Sequence, residues 1–232
     1  MQLTFDFPRG TSRSRSDFLV SPCNAAAIAW IDRWPDWPSR VLALHGPAGC
    51  GKTHLLHVWC ARASGVLLSG EMLNVHVVDR LVSDRSYRIA IDEADRAEDH
   101  ALLQLHNVCL ENRGNVMLGA RRPPASWTVA LADLGSRLRA VLAVEIGLPD
   151  DALLAAVLIK HFADRQLRVE QEVVNYLLKQ MERSFAAAVE TAALLDSISL
   201  SGRRAITVPV ARQALAQARA HSSSSGRVSG EK

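Results

Sequence analysis

The chain has 232 residues, 48% of them hydrophobic and 22% charged, with a formal net charge of +3. That length buries a sizeable core and accommodates one α/β domain with a smaller satellite, while the charge is too small to imply nucleic-acid binding. No uninterrupted apolar run approaches a membrane span and no apolar signal-peptide core opens the chain, so a cytoplasmic protein is expected.

Residues 1–17, with Arg9-Gly-Thr-Ser-Arg-Ser-Arg15, are polar and aperiodic and read as a flexible leader. Residues 18–147 alternate short apolar runs with helical patterns. The expected strands are Val41–His45, Gly65–Leu68, Tyr87–Ile91, Asn115–Gly119 and Val141–Ile146, with helical patterns such as Ala101–Glu111 between them. Such alternation predicts a parallel sheet with helices on its faces. After Leu148-Pro-Asp150 only helical patterns remain: Asp151–Arg165, Glu170–Met181, Phe185–Ser197 and Pro209–His221. Residues 148–221 therefore form a second, all-helical domain. The serine-rich residues 222–232 lack hydrophobes and read as a disordered tail.

The strongest chemical signal is Gly46-Pro-Ala-Gly-Cys-Gly-Lys-Thr53, a full match to G-x-x-x-x-G-K-[ST] between a strand and a helix. Gly46, Pro47, Ala48, Gly49, Cys50 and Gly51 form a loop whose amides can approach phosphate oxygens. Lys52 reaches the β- and γ-phosphates, Thr53 holds Mg²⁺, and His54 opens the helix. ADP or ATP with Mg²⁺ is the expected ligand. Arg88-Ile-Ala-Ile-Asp-Glu93 is an apolar run ending in two acids, some forty residues on; Asp92 completes the Mg²⁺ shell and Glu93 polarises an attacking water.

Other candidates carry less. Cys23, Cys50, Cys60 and Cys109 have no metal spacing and read as reduced; at the start of a helix, the Cys50 thiol could be acidified, or be only a variable loop residue. His54 and His57 share a helix face without an acidic companion and read as surface histidines rather than a zinc site. Trp30, Trp34 and Trp37 could stack on a base or pack a helix against the sheet. Asp95 and Asp99 read as a solvated helix face.

A phosphate-loop core followed by a helical lid resembles the AAA+ class, and local stretches narrow the resemblance to its DnaA/Hda branch over residues 18–219. Phe18-Leu-Val-Ser-Pro-Cys-Asn24 is similar to the branch's lead-in motif, which implies that Phe18, Leu19 and Asn24 lie near the adenine. Arg121-Arg-Pro-Pro124 resembles the segment after the fourth strand, and Arg203-Arg-Ala-Ile-Thr-Val-Pro209 a late lid segment. Leu134-Gly-Ser-Arg-Leu138 resembles the box carrying an arginine finger, which implies Arg137, with Arg139 two residues away as the competing choice. An initiator of this branch continues into a helix-turn-helix DNA-binding domain. No such pattern follows here, so no sequence-specific DNA contact is expected.

Met1-Gln-Leu-Thr-Phe-Asp-Phe7 resembles the branch's clamp-binding peptide. Gln2 can hydrogen-bond at a pocket mouth while Leu3, Phe5 and Phe7 supply apolar anchors; the same alternation also suits an edge strand of the sheet. The resemblance implies a negative regulator of replication initiation, with DnaA and the sliding clamp as partners, no membrane, and self-association left open. Two positions depart from the pattern. Gly119-Ala120-Arg121 replaces polar sensor residues, and Ala186 stands where a lid arginine is expected, with Arg183 three residues early. Such a site binds nucleotide without fast turnover, unlike an autonomous ATPase of the helicase-loader kind, which is the competing reading.

Overall fold

Five short apolar runs pair side by side in the computed structural model, which describes the backbone of residues 20–202 and 205–225. Gln2, Leu3, Phe5, Phe7, Phe18, Leu19 and Arg203 lie outside the described residues, as do positions 226–232. Strands β1 (Val41–His45), β2 (Val66–Ser69), β3 (Arg88–Asp92), β4 (Asn115–Ala120) and β5 (Leu142–Glu145) form one parallel sheet in the order β2-β3-β4-β1-β5. The register sets Leu44 of β1 beside Gly119 of β4 and Val144 of β5.

Alternation along the strands divides the core into two layers, because successive strand side chains point to opposite faces. Leu42, Leu44, Ala90, Met117 and Val144 pack on Ala27, Ile28 and Ile31 of α1 (Ala25–Arg33) and on Leu55, Leu56 and Trp59 of α2 (Lys52–Ala63). Val41, Ala43, Ile89, Ile91, Val116 and Leu118 face the opposite layer, built by α3 (Val75–Ser83), α4 (Asp99–Glu111) and α5 (Ala132–Ala140). Parallel strands covered on both sides become nearly continuous apolar runs, as β4 is, with all six residues buried. Truncating one such side chain, Leu44→Ala for example, costs about 2–5 kcal/mol.

The tryptophans pack this core. Trp37 stacks on Trp59 of α2, with centroids 5.5 Å apart, and Trp34 meets the same ring edge-on at 6.3 Å. Trp37 Nε1 donates to the Trp30 carbonyl at 2.7 Å and Trp34 Nε1 to Asn115 Oδ1 at 3.3 Å. Trp59 is fully buried, so the group seals the end of α1 against α2 rather than offering its rings to a base.

The lid follows as α6 (Asp151–Asp164), α7 (Gln171–Gln180), α8 (Phe185–Gly202) and α9 (Val208–Ser225). Asp150 caps α6 by accepting from the Leu153 amide at 2.7 Å. Leu154, Leu158, Phe162, Val174, Leu177, Ala188, Ala192, Leu195 and Leu215 make a third, separate core. Helix α9 reaches Ser225 and so takes in positions 222–225, which composition assigns to the tail. Among the described residues no helix is long and apolar enough to cross a membrane.

Candidate functional site

At the carboxyl end of β1 the chain turns through Gly46–Gly51 and enters α2, whose first residue is Lys52. Two glycines are required by space. A Cβ on Gly46 would lie 2.1 Å from the Ile146 carbonyl oxygen, and one on Gly49, whose φ is +71°, would lie 2.5 Å from Ser184 Cβ. Cys50 is buried beneath the loop while Pro47 and Ala48 are exposed. The Lys52 ammonium lies across the loop, donating to the carbonyl oxygens of Gly46 and Pro47 at 2.8 Å each, with Cys50 Sγ at 3.6 Å. Backbone amides, the start of α2 and one ammonium thus converge where a polyphosphate can be held.

Thr53 and Asp92 come together from α2 and the end of β3: the Thr53 hydroxyl donates to Asp92 Oδ2, and Asp92 Oδ1 accepts from the Glu93 amide at 3.0 Å. A hydroxyl and a carboxylate in contact are the oxygen donors a Mg²⁺ shell uses. His54 is half-buried on α2. Glu93 has left-handed backbone, φ +50°, and its carboxylate faces Arg96 at 3.3 Å. Arg96 also holds Glu71 at 2.7 Å, so two acids flank one guanidinium in solvent.

Gly119 offers no sensor side chain, and its surroundings are close. A Cβ there would come within 2.8 Å of Leu56 and 3.2 Å of Asp92 Oδ1, and Ala120 is buried while Arg121 is exposed. In the lid, Ala186 is exposed, and Arg183 pairs with Asp151 at 3.0 Å at the start of α6. Asn24 is buried before α1 and accepts from the Ser21 amide at 2.9 Å through Oδ1. It lies near the loop by connection, since Cys23 O accepts from the Gly147 amide, next to Ile146.

Arg137 and Arg139 leave α5 in different directions. Arg137 donates from Nε and Nη2 to the two oxygens of Asp133, one turn earlier, at 3.2 Å each, and from Nη1 to His106 Nδ1 on α4 at 3.2 Å. Its side chain is 29% exposed. An arginine has only donors, so His106 accepts as the neutral imidazole. Burial first and the Arg137 charge second hold His106 below its usual basicity. Arg139 instead lines an open cavity of about 310 Å³ with Pro124, Trp127, Val129 and Leu131. The Asp133–Arg137 spacing is visible in the sequence, but His106, Ser184 and Phe185 reach their places only through the fold.

The sheet order, the loop between β1 and α2, and the helical lid make up an AAA+ type of fold. Residues 150–215 match the family described as Hda, lid domain. Domain III of Thermotoga maritima DnaA, a replication initiation protein, superposes with a TM-score of 0.77 at 17% identity, over 91% of this chain and 98% of that one. AMPPCP-bound DnaA from Aquifex aeolicus gives 0.62 at 18% identity, over 81% and 65%. The Holliday junction branch migration motor RuvB of Thermotoga maritima gives 0.61 at 16% identity, over 75% and 60%. At such identities the likeness is one of fold. The chain spans about two thirds of the longer DnaA chain it matches.

Proposed function

We propose that this chain is an Hda-like negative regulator of chromosome replication initiation, cytoplasmic and nucleotide-bound, which stimulates ATP hydrolysis by DnaA. The observation that carries this reading is the Hda lid match on a DnaA-like AAA+ fold. Gly46–Thr53 hold ADP or ATP through loop amides and the Lys52 ammonium, and Thr53 and Asp92 hold Mg²⁺. The contacts of Lys52 with two loop carbonyls and of Thr53 with Asp92 fit those roles. When bound, Mg²⁺ supplies charge neutralisation at the phosphates.

The protein's own turnover is weak. Gly119 supplies no sensor side chain, and the Glu93 carboxylate that would orient water faces Arg96. Arg137 completes a site in DnaA instead: its guanidinium donates to the γ-phosphate of ATP held there, where a finger is worth about 10³–10⁵ in rate in related phosphoryl-transfer systems. Gln2, Leu3, Phe5 and Phe7 tether the chain to the sliding clamp of DNA polymerase.

Measuring ATP turnover by the protein alone, with DnaA, and with DnaA plus DNA-loaded clamp tests this reading. Stimulation requires all components and is lost when Gln2, Leu3 and Phe7 are replaced together by alanine, with nucleotide affinity and melting temperature retained. Turnover by the protein alone at the full rate would favour an autonomous ATPase of the helicase-loader kind. The Thr53–Asp92 contact is the observation on that side.

A further inference from the structure

We infer that Asp133 is a positioning residue for the Arg137 guanidinium, with His106 as its second support; the inference rests on the finger role proposed above. Asp133 occupies the side edge of the guanidinium, taking Nε–H and one N–H of Nη2, and His106 takes one N–H of Nη1. A guanidinium has five N–H donors. Two remain, one on each terminal nitrogen, and a pair on the two terminal nitrogens suits oxygens of a phosphate. The neighbours therefore fix the plane of the group while leaving donors for a ligand outside the chain.

The same contacts could instead lock the arginine away, and magnitudes decide between the two. A helical ion pair at this spacing, with Asp133 largely in solvent, shifts an equilibrium by roughly twofold. A finger in a phosphoryl-transfer site contributes about 10³–10⁵ in rate. A twofold restraint cannot withhold a side chain from so large an interaction. It can reduce the number of orientations the side chain samples before contact, because Arg carries substantial rotamer freedom that must be lost on ordering. The contrast with Arg139 supports this. No ion pair holds Arg139 among the described residues, and it lines an open cavity with Trp127.

The test is DnaA ATP hydrolysis with DNA-loaded clamp, titrated with full-length variants, alongside ¹⁵Nε relaxation of the Arg137 side chain in the isolated protein. Asp133→Ala lowers the maximal stimulated rate about twofold with an unchanged half-saturating concentration, and raises the mobility of Arg137 Nε. Asp133→Asn, which keeps one carbonyl acceptor, falls between Asp133→Ala and wild type. In an Arg137→Ala background, Asp133→Ala has no further effect. A wild-type or faster maximal rate from Asp133→Ala, or a further loss in the Arg137→Ala background, overturns the proposal. If Arg137→Ala itself stimulates normally, the finger reading fails, and the relaxation measurement still reports whether Asp133 orders the guanidinium.

Discussion

The backbone amide of Phe185 donates to the carbonyl oxygen of Gly49 at 2.9 Å, so the first residue of α8 rests on the candidate phosphate loop. The Phe185 ring also lies 3.2 Å from where a Cβ on Gly51 would stand, and buried Ser184 fills the space beside Gly49. Lid and loop are therefore one contact, and a change in loop shape is felt in the lid.

Gly49→Ala should disturb both at once. The new methyl meets Ser184 on a backbone with positive φ, which costs about 1–3 kcal/mol, so melting temperature and nucleotide affinity should fall together. Ala48→Ser, on the exposed side of the loop, should change neither. Thermal melts and calorimetric titration with ADP check the pair, and a Gly49→Ala protein with wild-type affinity would show that the lid tolerates displacement.

Lys52→Ala removes the one ammonium from a loop of neutral backbone donors. Affinity for ADP and ATP should fall severely, while the fold should persist because the Nζ contacts stay within the loop, to two carbonyls and Cys50 Sγ. Calorimetry on the folded variant decides; unchanged affinity would reject the phosphate-loop assignment.

Arg137→Ala should keep the protein's own nucleotide but lose stimulation of DnaA, since a finger acts on charge that develops at the neighbour's phosphate. Arg139→Ala should retain stimulation. The two variants are compared in the reconstituted assay at matched clamp occupancy, and the reverse result would move the role to Arg139.

Acid should loosen the α4–α5 contact. His106 is held below its ordinary value of 6.5 by burial and by Arg137, so the unfolded chain takes up this proton more readily than the folded one. Its contribution to stability is complete above about pH 6.5 and is lost as pH falls below that towards the folded value. His161, depressed by burial and by Arg165, adds in the same direction. Melting temperatures of wild type and His106→Gln between about pH 7.5 and about pH 5.5 (one unit either side of the ordinary His value) check this: the wild type should lose more stability over that interval.

Much of the sheet is legible in the sequence because its signals are local. Val41–His45 is found as β1 with the same ends, and the other four strands differ by one residue at one or both ends. The lid helices are read for the same reason, as long apolar-rich helical runs without strand-like breaks between them. Helix α3 escapes because Val75, Val77, Val78 and Val82 are β-branched and weaken a nine-residue helical pattern; its start depends on Asn74, which accepts from the Val77 amide at 3.1 Å. Helix α1, Ala25–Arg33, is short, and its buried face is only Ala27, Ile28 and Ile31. At the site, the loop and the acid pair are contiguous motifs. The Phe185–Gly49 and His106–Arg137 contacts join residues far apart in sequence, and no spacing encodes them.

The helix that begins at Lys52 carries Trp59 two turns further on, and Trp37 lies over that ring with the planes 21° apart. Coupled indoles give a distinctive near-ultraviolet circular dichroism, so occupancy of the loop can be followed optically without a label, through any rotation that ligand binding transmits along α2. Of the five tryptophans, Trp127 stands apart from this cluster and lines the same cavity as Arg139; its emission offers a second, separate colour of report.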